Sequence, residues 1–265
     1  MINVCIAGAT GWTGTPLARA VLAAGDLTLV SAVSRSAAGK DLGAAWGEES
    51  LGVPVFATVD EALEGVDVLV DYTSHESVKT NTLAALSAGV GVVIGSSGLT
   101  GADFDDIEAA ATANGVGVVA AGNFSITAAM AQAASLLAAR HLPQWEVIDY
   151  ASSTKPDVPS GTAREMAERL SAVRRPEIGV PVADIAGPKG ARGADVDGTQ
   201  VHSVRLPSFV VSTEVVFGLP DERLVIRHDA GSTPEPYVSG TLLAVRALPG
   251  RVGLTRGLDT LLLES

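Results

Sequence analysis

The chain has 265 residues, of which 47% are hydrophobic and 18% charged, and its formal net charge is −12 at pH 7. These values are typical of a folded, soluble protein with one large domain or two smaller ones. The acidic balance excludes nucleic acid and anionic membranes as the main partners, because both select a basic surface.

The first half of the chain alternates short apolar, β-branched runs with runs rich in Ala and Leu. We predict strands over residues 2–8, 27–34, 66–73, 91–97 and 116–123. We predict helices over residues 15–25, 59–65, 75–89 and 99–115. Continuous apolar strands separated by helices indicate an α/β fold with a doubly wound parallel sheet of the Rossmann type.

The second half of the chain has a different pattern. Helices are predicted over residues 126–142, 162–175 and 237–250, and strands over 145–153, 201–207, 209–218 and 222–230. Residues 181–198 are rich in Gly, Pro and Asp and are predicted to form a loop. Consecutive strands joined by turns indicate a C-terminal α+β domain with a mixed or antiparallel sheet. The predicted domains are residues 1–125, completed by 235–265, and residues 126–234.

A glycine-rich turn, GATGWTG, separates the first strand from the first helix. Glycine lets a phosphate approach the backbone closely, and a helix N-terminus offers free N–H groups. A purely structural turn is the alternative, but the strand–turn–helix context favours a dinucleotide site. Loops after two further parallel strands open at the same sheet edge. The predicted cofactor contacts in these loops are Gly8, Thr10, Gly11, Trp12, Thr13, Gly14, Thr73, Gly95, Ser96 and Ser97.

The end of the second strand bears on the choice between NAD and NADP. An acidic residue about 20 positions after the glycines would bind the ribose 2′-hydroxyl. The chain has Ser34, Arg35 and Ser36 there, with Lys40 close behind. A guanidinium in place of a carboxylate favours a 2′-phosphate, so we predict that NADPH is preferred over NADH. The alternative is that Arg35 is a solvated loop residue.

The segment DYASSTKPDVPSGTA carries the second candidate site. Its Ser-Gly-Thr turn leads into a predicted helix, and its lysine adds a compact positive charge, which together suit a carboxylate. The alternative is a helix N-cap, formed by Ser160 or Thr162, beside a solvated lysine. The predicted substrate contacts are Ser152, Ser153, Lys155, Ser160, Gly161 and Thr162, with Lys155 as the candidate catalytic residue.

Several further motifs accompany these two: GSSG at 95–98, NFS at 123–125, GARG at 190–193 and IRHD at 226–229. In this combination nearly the whole chain resembles the dihydrodipicolinate reductase family, which reduces a cyclic dicarboxylate with NAD(P)H. The resemblance implies that Lys155 and residues 160–162 handle the substrate. It implies that Asn123 and Phe124 serve the cofactor and the domain hinge. It also implies a homotetramer built through the C-terminal sheets, which makes 126–234 the substrate-binding and oligomerisation domain.

The chain departs from the family pattern near the lysine. The family has a His-His pair where this chain has Ala151 and Ser152, and a further family histidine corresponds to Ser212. Histidine is the usual proton donor near neutral pH. We therefore expect a diverged member that reduces a C=N bond, which is already protonated in an iminium substrate. The alternatives are true dihydrodipicolinate reduction, with Lys155 and water supplying the proton, and a catalytically silent NADP-binding sensor or scaffold.

The remaining expectations concern metals, redox state and location. The single cysteine, Cys5, excludes an internal disulfide and fits a reducing compartment. No His, Cys, Asp and Glu cluster has metal-ligand spacing, so no metal is expected. His202 and His228 are interpreted as structural or interface residues. We expect no signal peptide or membrane span, and a cytoplasmic protein acting on a small molecule.

Overall fold

The structure is a computed structural model that describes residues 1–264. In chain order the strands are β1 Ile2–Ala7, β2 Leu27–Val33, β3 Val55–Phe56, β4 Val68–Asp71, β5 Gly91–Ile94, β6 Gly117–Ala120, β7 Gln144–Ala151, β8 Ala194–Val196, β9 Thr199–Arg205, β10 Val211–Leu219, β11 Glu222–Asp229 and β12 Gly253–Arg256. The helices are α1 Gly14–Ala23, α2 Leu42–Ala45, α3 Val59–Ala62, α4 Val78–Ser87, α5 Gly101–Asn114, α6 Ile126–Ala139, α7 Gly161–Val173, α8 Glu235–Ala247 and α9 Leu258–Glu264.

The chain forms two compact units. The first contains Met1–Ser125 and the C-terminal segment from Pro234 onward, and the second contains Ile126–Thr233. No helix in residues 1–264 is both long and apolar enough to cross a bilayer.

The first unit contains a parallel sheet with strand order β12-β6-β5-β4-β1-β2-β3. All residues of β4, β5 and β6 are buried, as expected for strands covered on both faces. One core cluster joins these strands to the apolar sides of α4 and α5 through Leu69, Leu86, Val92, Ile107 and Val118. The predicted doubly wound parallel sheet is therefore confirmed.

Local signals in the sequence fix the helix ends of this unit. The helix α5 begins at a capping box, in which Thr100 accepts a hydrogen bond from the Asp103 amide and Asp103 accepts one from the Thr100 amide. It ends at Gly115, whose φ of +67° places it in the left-handed region that favours glycine. These residues set the position of the β5–α5–β6 crossover.

The second unit contains a sheet with strand order β11-β10-β7-β9-β8. The β7 and β9 strands are parallel and the other neighbours are antiparallel, which confirms the predicted mixed sheet. Burial alternates along β7, because Trp145, Val147, Asp149 and Ala151 point into the unit. A cluster that includes Trp145, Val147, Phe217, Met166 and Leu170 joins this face of the sheet to α7.

The prediction of a continuous loop over residues 181–198 is wrong. The strand β8 lies inside this range and pairs with β9, and two short 3-10 turns precede it, at Val182–Asp184 and Lys189–Arg192. The β8–β9 turn places Asp197 at φ +52° and Gly198 at φ +103°. The same Asp-Gly pair that marks a loop is thus the turn of a short hairpin.

The elements α2, β3, β12 and α9 are missing from the prediction. The strands β3 and β12 are short and lie at the two edges of the parallel sheet, where each pairs with one neighbour. Their place in the sheet depends on pairing with distant segments, which the local pattern of two to four residues does not reveal.

Candidate active site

The β1–α1 turn brings its glycines so close to other backbone atoms that side chains do not fit. Gly8 has φ +87°, and a Cβ there would overlap the carbonyl oxygen of Tyr72. A Cβ on Gly14 would overlap the carbonyl oxygen of Gly8, and the Gly11 amide donates to that same oxygen at 2.8 Å. This bare backbone at the start of α1 fits the approach of a phosphate group.

An aromatic residue projects from this turn. The Trp12 side chain is 55% exposed, and its ring meets the ring of Tyr237 edge to face, with centroids 6.1 Å apart. Tyr237 lies in α8, which belongs to the same unit, and the sequence analysis did not single it out. Next to Trp12, Thr13 is the N-cap residue of α1.

The end of β2 lies beside the glycine turn. The hydroxyls of Thr10 and Ser34 share a hydrogen bond of 2.7 Å, and Ser34 is also 3.3 Å from the Ser36 hydroxyl. Arg35 and Lys40 are exposed on the loop that follows. The structure thus brings together the two segments that were predicted to bind the pyrophosphate and the ribose.

A buried carboxylate organises the next two loops. Asp71, at the end of β4, is 0% exposed and accepts hydrogen bonds from the hydroxyls of Thr73, at 2.7 Å, and Ser96, at 2.6 Å. The amide of Asn81 donates to its other oxygen at 2.8 Å. Asp71 therefore joins the loops that contain the predicted residues Thr73 and Ser96, with the predicted Ser97 exposed next to them. Its position at the end of an apolar strand was the available signal.

Tyr72 forms the floor of this region. A Cβ on Gly95 would overlap its ring, and its hydroxyl hydrogen-bonds to Thr241 at 2.8 Å. The Phe124 ring packs edge to face against Tyr72 and is 1% exposed. Burial raises the pKa of the Tyr72 phenol above its ordinary value. Because the Phe124 side chain is buried, a ligand would contact this residue through its backbone. The side chain of the neighbouring Asn123 accepts a hydrogen bond from the Ser125 amide at 2.9 Å.

In the second unit, Ser160 is the N-cap of α7, one of the two caps that the alternative interpretation of this segment named. Its hydroxyl accepts from the Ala163 amide at 3.3 Å. The same hydroxyl donates to Asp149 Oδ1 at 2.7 Å, and the Ser160 amide donates to Asp149 Oδ2 at 2.9 Å. The start of α7, with Gly161 and Thr162 in its first turn, is thereby tied to the core of β7.

Asp149 also receives a guanidinium. Arg205 Nη2 lies 2.7 Å from Asp149 Oδ2, and the same nitrogen donates to the carbonyl oxygen of Asp157 at 2.8 Å. The Ser203 hydroxyl adds a hydrogen bond of 3.0 Å to Asp149. The Asp149 side chain is 0% exposed and that of Arg205 is 15% exposed. The sequence analysis missed Arg205, although a charged residue at the end of the strand VHSVR was a visible signal.

Lys155 lies on the loop between these anchors. Its Nζ is 2.9 Å from Asp157 Oδ1, with 28% of the lysine side chain and 30% of the aspartate side chain exposed. The Lys155 amide donates to the Ser152 carbonyl at 3.0 Å, and the Ser152 and Thr154 hydroxyls are 3.0 Å apart. The predicted contact Ser153 is exposed beside them. The loop therefore presents one ammonium and several hydroxyls.

Two histidines of the second unit have partners outside the Lys155 loop. The His202 ring is 2.7 Å from Glu146 Oε2, and the His228 ring is 3.1 Å from the Thr127 hydroxyl. Ala151, where the resemblance implies a histidine, is 0% exposed. In the part of the chain that the structure describes, no group of three or more His, Cys, Asp or Glu residues could hold a metal ion.

A cavity of about 670 Å³ in the second unit is lined by Glu146, Arg192 and His202 together with apolar residues such as Ile178 and Val216. Its lining contains none of the predicted site residues. We assign the candidate substrate site to the Lys155 loop and not to this cavity, because the volume of a cavity does not by itself identify reacting groups.

Comparison with known proteins agrees with this geometry. The family model described as "Dihydrodipicolinate reductase, N-terminus" matches residues 2–124, and "Dihydrodipicolinate reductase, C-terminus" matches residues 122–262. The chain is 37% identical over 264 residues to 4-hydroxy-tetrahydrodipicolinate reductase of Desulfitobacterium hafniense (strain DSM 10664 / DCB-2), covering 98% of both chains. It is 37% identical over 268 residues to the enzyme of the same name from Moorella thermoacetica, again covering 98% of both.

A solved structure supports the same assignment. The dipicolinate-bound dihydrodipicolinate reductase from Paenisporosarcina sp. TG-14 is 30% identical and superposes with a TM-score of 0.75, covering 98% of this chain and 99% of that one. Both halves of the chain match the two family models, and full-length relatives exceed 30% identity. The chain therefore belongs to the dihydrodipicolinate reductase family.

Proposed function

We propose that this protein is a reductase that transfers a hydride from NADPH to the C=N bond of a cyclic, carboxylated substrate. The observation that carries the proposal is the anchored loop of the second unit. Lys155 and the start of α7 belong to one segment, which hydrogen-bonds to the buried Asp149 through the Ser160 hydroxyl. Arg205 pairs with Asp149 and also donates to the Asp157 carbonyl of the same segment. A charged loop held in this way suits the binding of a substrate carboxylate.

A nicotinamide dinucleotide, when bound, supplies the hydride. The backbone at Gly8 and Gly14 carries no side chains, which suits the close approach of its pyrophosphate. The turn itself requires both glycines, because a Cβ would overlap the carbonyl oxygen of Tyr72 or of Gly8. The residues proposed to hold the cofactor are Gly8, Thr10, Gly11, Trp12, Thr13, Gly14, Ser34, Arg35, Ser36, Thr73, Gly95, Ser96, Ser97, Asn123 and Phe124. The exposed Arg35 and Lys40, in a segment without a carboxylate, favour NADPH over NADH.

In the second unit, the Lys155 ammonium and the first turn of α7 pair with the substrate carboxylate. Residues 151–154 are Ala, Ser, Ser and Thr, none of which supplies a proton near neutral pH. The hydride adds to the carbon of the C=N bond, and in an iminium substrate the nitrogen already carries its proton. With a neutral imine, Lys155 or a water molecule would supply that proton. Ser152, Ser153, Ser160, Gly161 and Thr162 complete the proposed substrate site.

A second candidate is authentic lysine-pathway reduction of 4-hydroxy-tetrahydrodipicolinate. The names of the full-length relatives at 37% identity favour it. We further propose a cytoplasmic homotetramer, on the strength of the family resemblance.

Steady-state oxidation of NADPH tests the proposal. Purified protein is assayed against 4-hydroxy-tetrahydrodipicolinate and a panel of cyclic imino acids with one or two carboxylates. Turnover with the imino acids alone supports the diverged reductase, and turnover with 4-hydroxy-tetrahydrodipicolinate supports the second candidate. Complementation of a strain lacking the lysine-pathway reductase separates the two in a cell. Tight NADPH binding without turnover on any substrate would replace both with a sensor or scaffold, and equal or tighter binding of NADH would refute the cofactor preference.

A further inference from the structure

We propose that Asp157 is an internal counter-ion of Lys155. Its carboxylate pairs with the lysine ammonium in the free protein and is displaced when the carboxylate of the ligand binds. As a statement about substrate binding, this inference rests on the proposed function. It assigns a specificity role to an acidic residue in a site whose ligand is an anion.

The geometry places the two charges in direct contact. Asp157 Oδ1 is 2.9 Å from Lys155 Nζ, and both side chains are about a third exposed, at 30% and 28%. The partial exposure leaves the pair open to exchange with a dissolved anion. An ammonium offers three donors, so a ligand carboxylate can compete for them without a rearrangement of the backbone.

The position of Asp157 is set by the protein core. Its carbonyl oxygen accepts a hydrogen bond from Arg205 Nη2 at 2.8 Å, and that nitrogen also pairs with the buried Asp149. The Lys155 amide is held by the Ser152 carbonyl at 3.0 Å. Proline at position 156 stiffens the connection between the two charged residues. The backbone that carries the two charges is therefore held in place, and their side chains can exchange partners.

A fixed carboxylate beside Lys155 weakens the binding of every anion at this point. It competes for the ammonium, and it repels a second negative charge at close range. A monocarboxylate gains little from replacing one carboxylate with another. A ligand with a second carboxylate, which reaches the first turn of α7 at the half-buried Gly161, gains a further contact. Asp157 thus favours ligands that make this second contact.

The test replaces the charge and keeps the shape, in the variant Asp157→Asn. The backbone carbonyl that Arg205 holds is unchanged by this substitution. Asp184→Asn is the matched control, because Asp184 is an exposed acidic residue of the same unit in a different segment. Asp157→Glu keeps the charge and serves as the second variant. Circular dichroism verifies that all three fold.

Two readouts are compared. The first is the rate at which Lys155 is acetylated by acetic anhydride, a neutral reagent, measured on the peptide by mass spectrometry. The second is the concentration of dipicolinate that halves this rate. An ion pair of this exposure has a small interaction energy. We therefore expect Lys155 to be acetylated about two- to fivefold faster in Asp157→Asn, and half-protection at a roughly three- to tenfold lower dipicolinate concentration. Asp184→Asn should match the wild type, and Asp157→Glu should stay within about twofold of it.

The outcomes separate this inference from the proposed function. Unchanged acetylation in Asp157→Asn, or half-protection at a higher dipicolinate concentration, overturns the counter-ion role, and the second result makes Asp157 a residue that orients Lys155 for the ligand. Faster acetylation without protection by dipicolinate in any variant supports the counter-ion and refutes the carboxylate site that the proposed function places at Lys155.

Discussion

The carboxylate of Asp149 and the guanidinium of Arg205 form a largely buried ion pair, with Oδ2 and Nη2 2.7 Å apart. The carboxylate also accepts from the amide and hydroxyl of Ser160, so its charge is met by several donors. The guanidinium holds the carbonyl of Asp157. One ion pair therefore anchors the segment that follows Lys155, at Asp157 and at Ser160.

Breaking this ion pair should destabilise the second unit. Asp149→Asn leaves the Arg205 charge with little solvent contact, and the loss of one partner from a buried pair costs about 3–5 kcal/mol of unfolding free energy. Urea unfolding measures the change. The double variant Asp149→Asn/Arg205→Met removes the stranded charge, so it should lose less than the sum of the two single variants. Additivity within about 0.5 kcal/mol would show that the two side chains do not interact.

The second prediction concerns the glycine turn. Gly14→Ala places a Cβ against the Gly8 carbonyl oxygen, so the turn must shift. We expect a loss of about 1–3 kcal/mol in stability, by analogy with overpacked cores, together with weaker NADPH binding in a fluorescence titration. Gly25→Ala is the control, because a Cβ there meets nothing within 4 Å. If Gly14→Ala bound NADPH as the wild type does, the close-approach argument would be wrong.

The third prediction uses Cys5, the single cysteine of the chain. Burial in β1 raises the pKa of its thiol to about 12. The native protein should therefore react with a thiol reagent at pH 8 no faster than it unfolds, because the thiolate is both rare and inaccessible. Labelling is followed by mass spectrometry in increasing urea. Rapid labelling without denaturant would show that β1 opens independently of the rest of the unit.

The fourth prediction is a dependence of stability on pH. Burial lowers the pKa of His228, an effect that the neighbouring Asp229 partly opposes. The unfolded chain therefore binds a proton at His228 more readily than the folded protein does. The free energy of unfolding is not reduced by this histidine above pH 6.5, approximately its pKa in the unfolded chain, and it declines as the pH falls below that value. The variant His228→Gln should lose less stability than the wild type between about pH 7.5 and 5.5 in urea titrations. Parallel losses in both proteins would remove His228 as the cause.

Local features of the fold and site are predictable from the sequence. The apolar runs of β4, β5 and β6 predict buried parallel strands. The hydroxyl residues Ser160 and Thr162 predict a cap at the start of α7, which Ser160 forms. Both signals lie within a few residues of the structure that they describe. The family resemblance adds the expectation that the lysine loop handles the substrate.

Features that depend on distant residues are not predictable in this way. Arg205 reaches Asp149 across 56 positions of sequence, and Tyr72 meets Thr241 across 169. The pairing of β12 with β6 likewise joins segments more than a hundred residues apart. These long-range contacts depend on how whole helices and strands pack, and a local sequence pattern carries no information on that packing.

The central claim is that Lys155, on its anchored loop, binds the carboxylate of a substrate that accepts hydride from NADPH. The most direct measurement is the transfer of deuterium from NADPH that carries deuterium at both C4 positions to a cyclic imino-acid substrate, detected in the product by mass spectrometry, for the wild type and Lys155→Met. The account predicts a deuterium label in the wild-type product and a fall of about a hundredfold or more in kcat/KM for Lys155→Met, with NADPH binding retained. An unlabelled product, or equal kcat/KM in the two proteins, would contradict it.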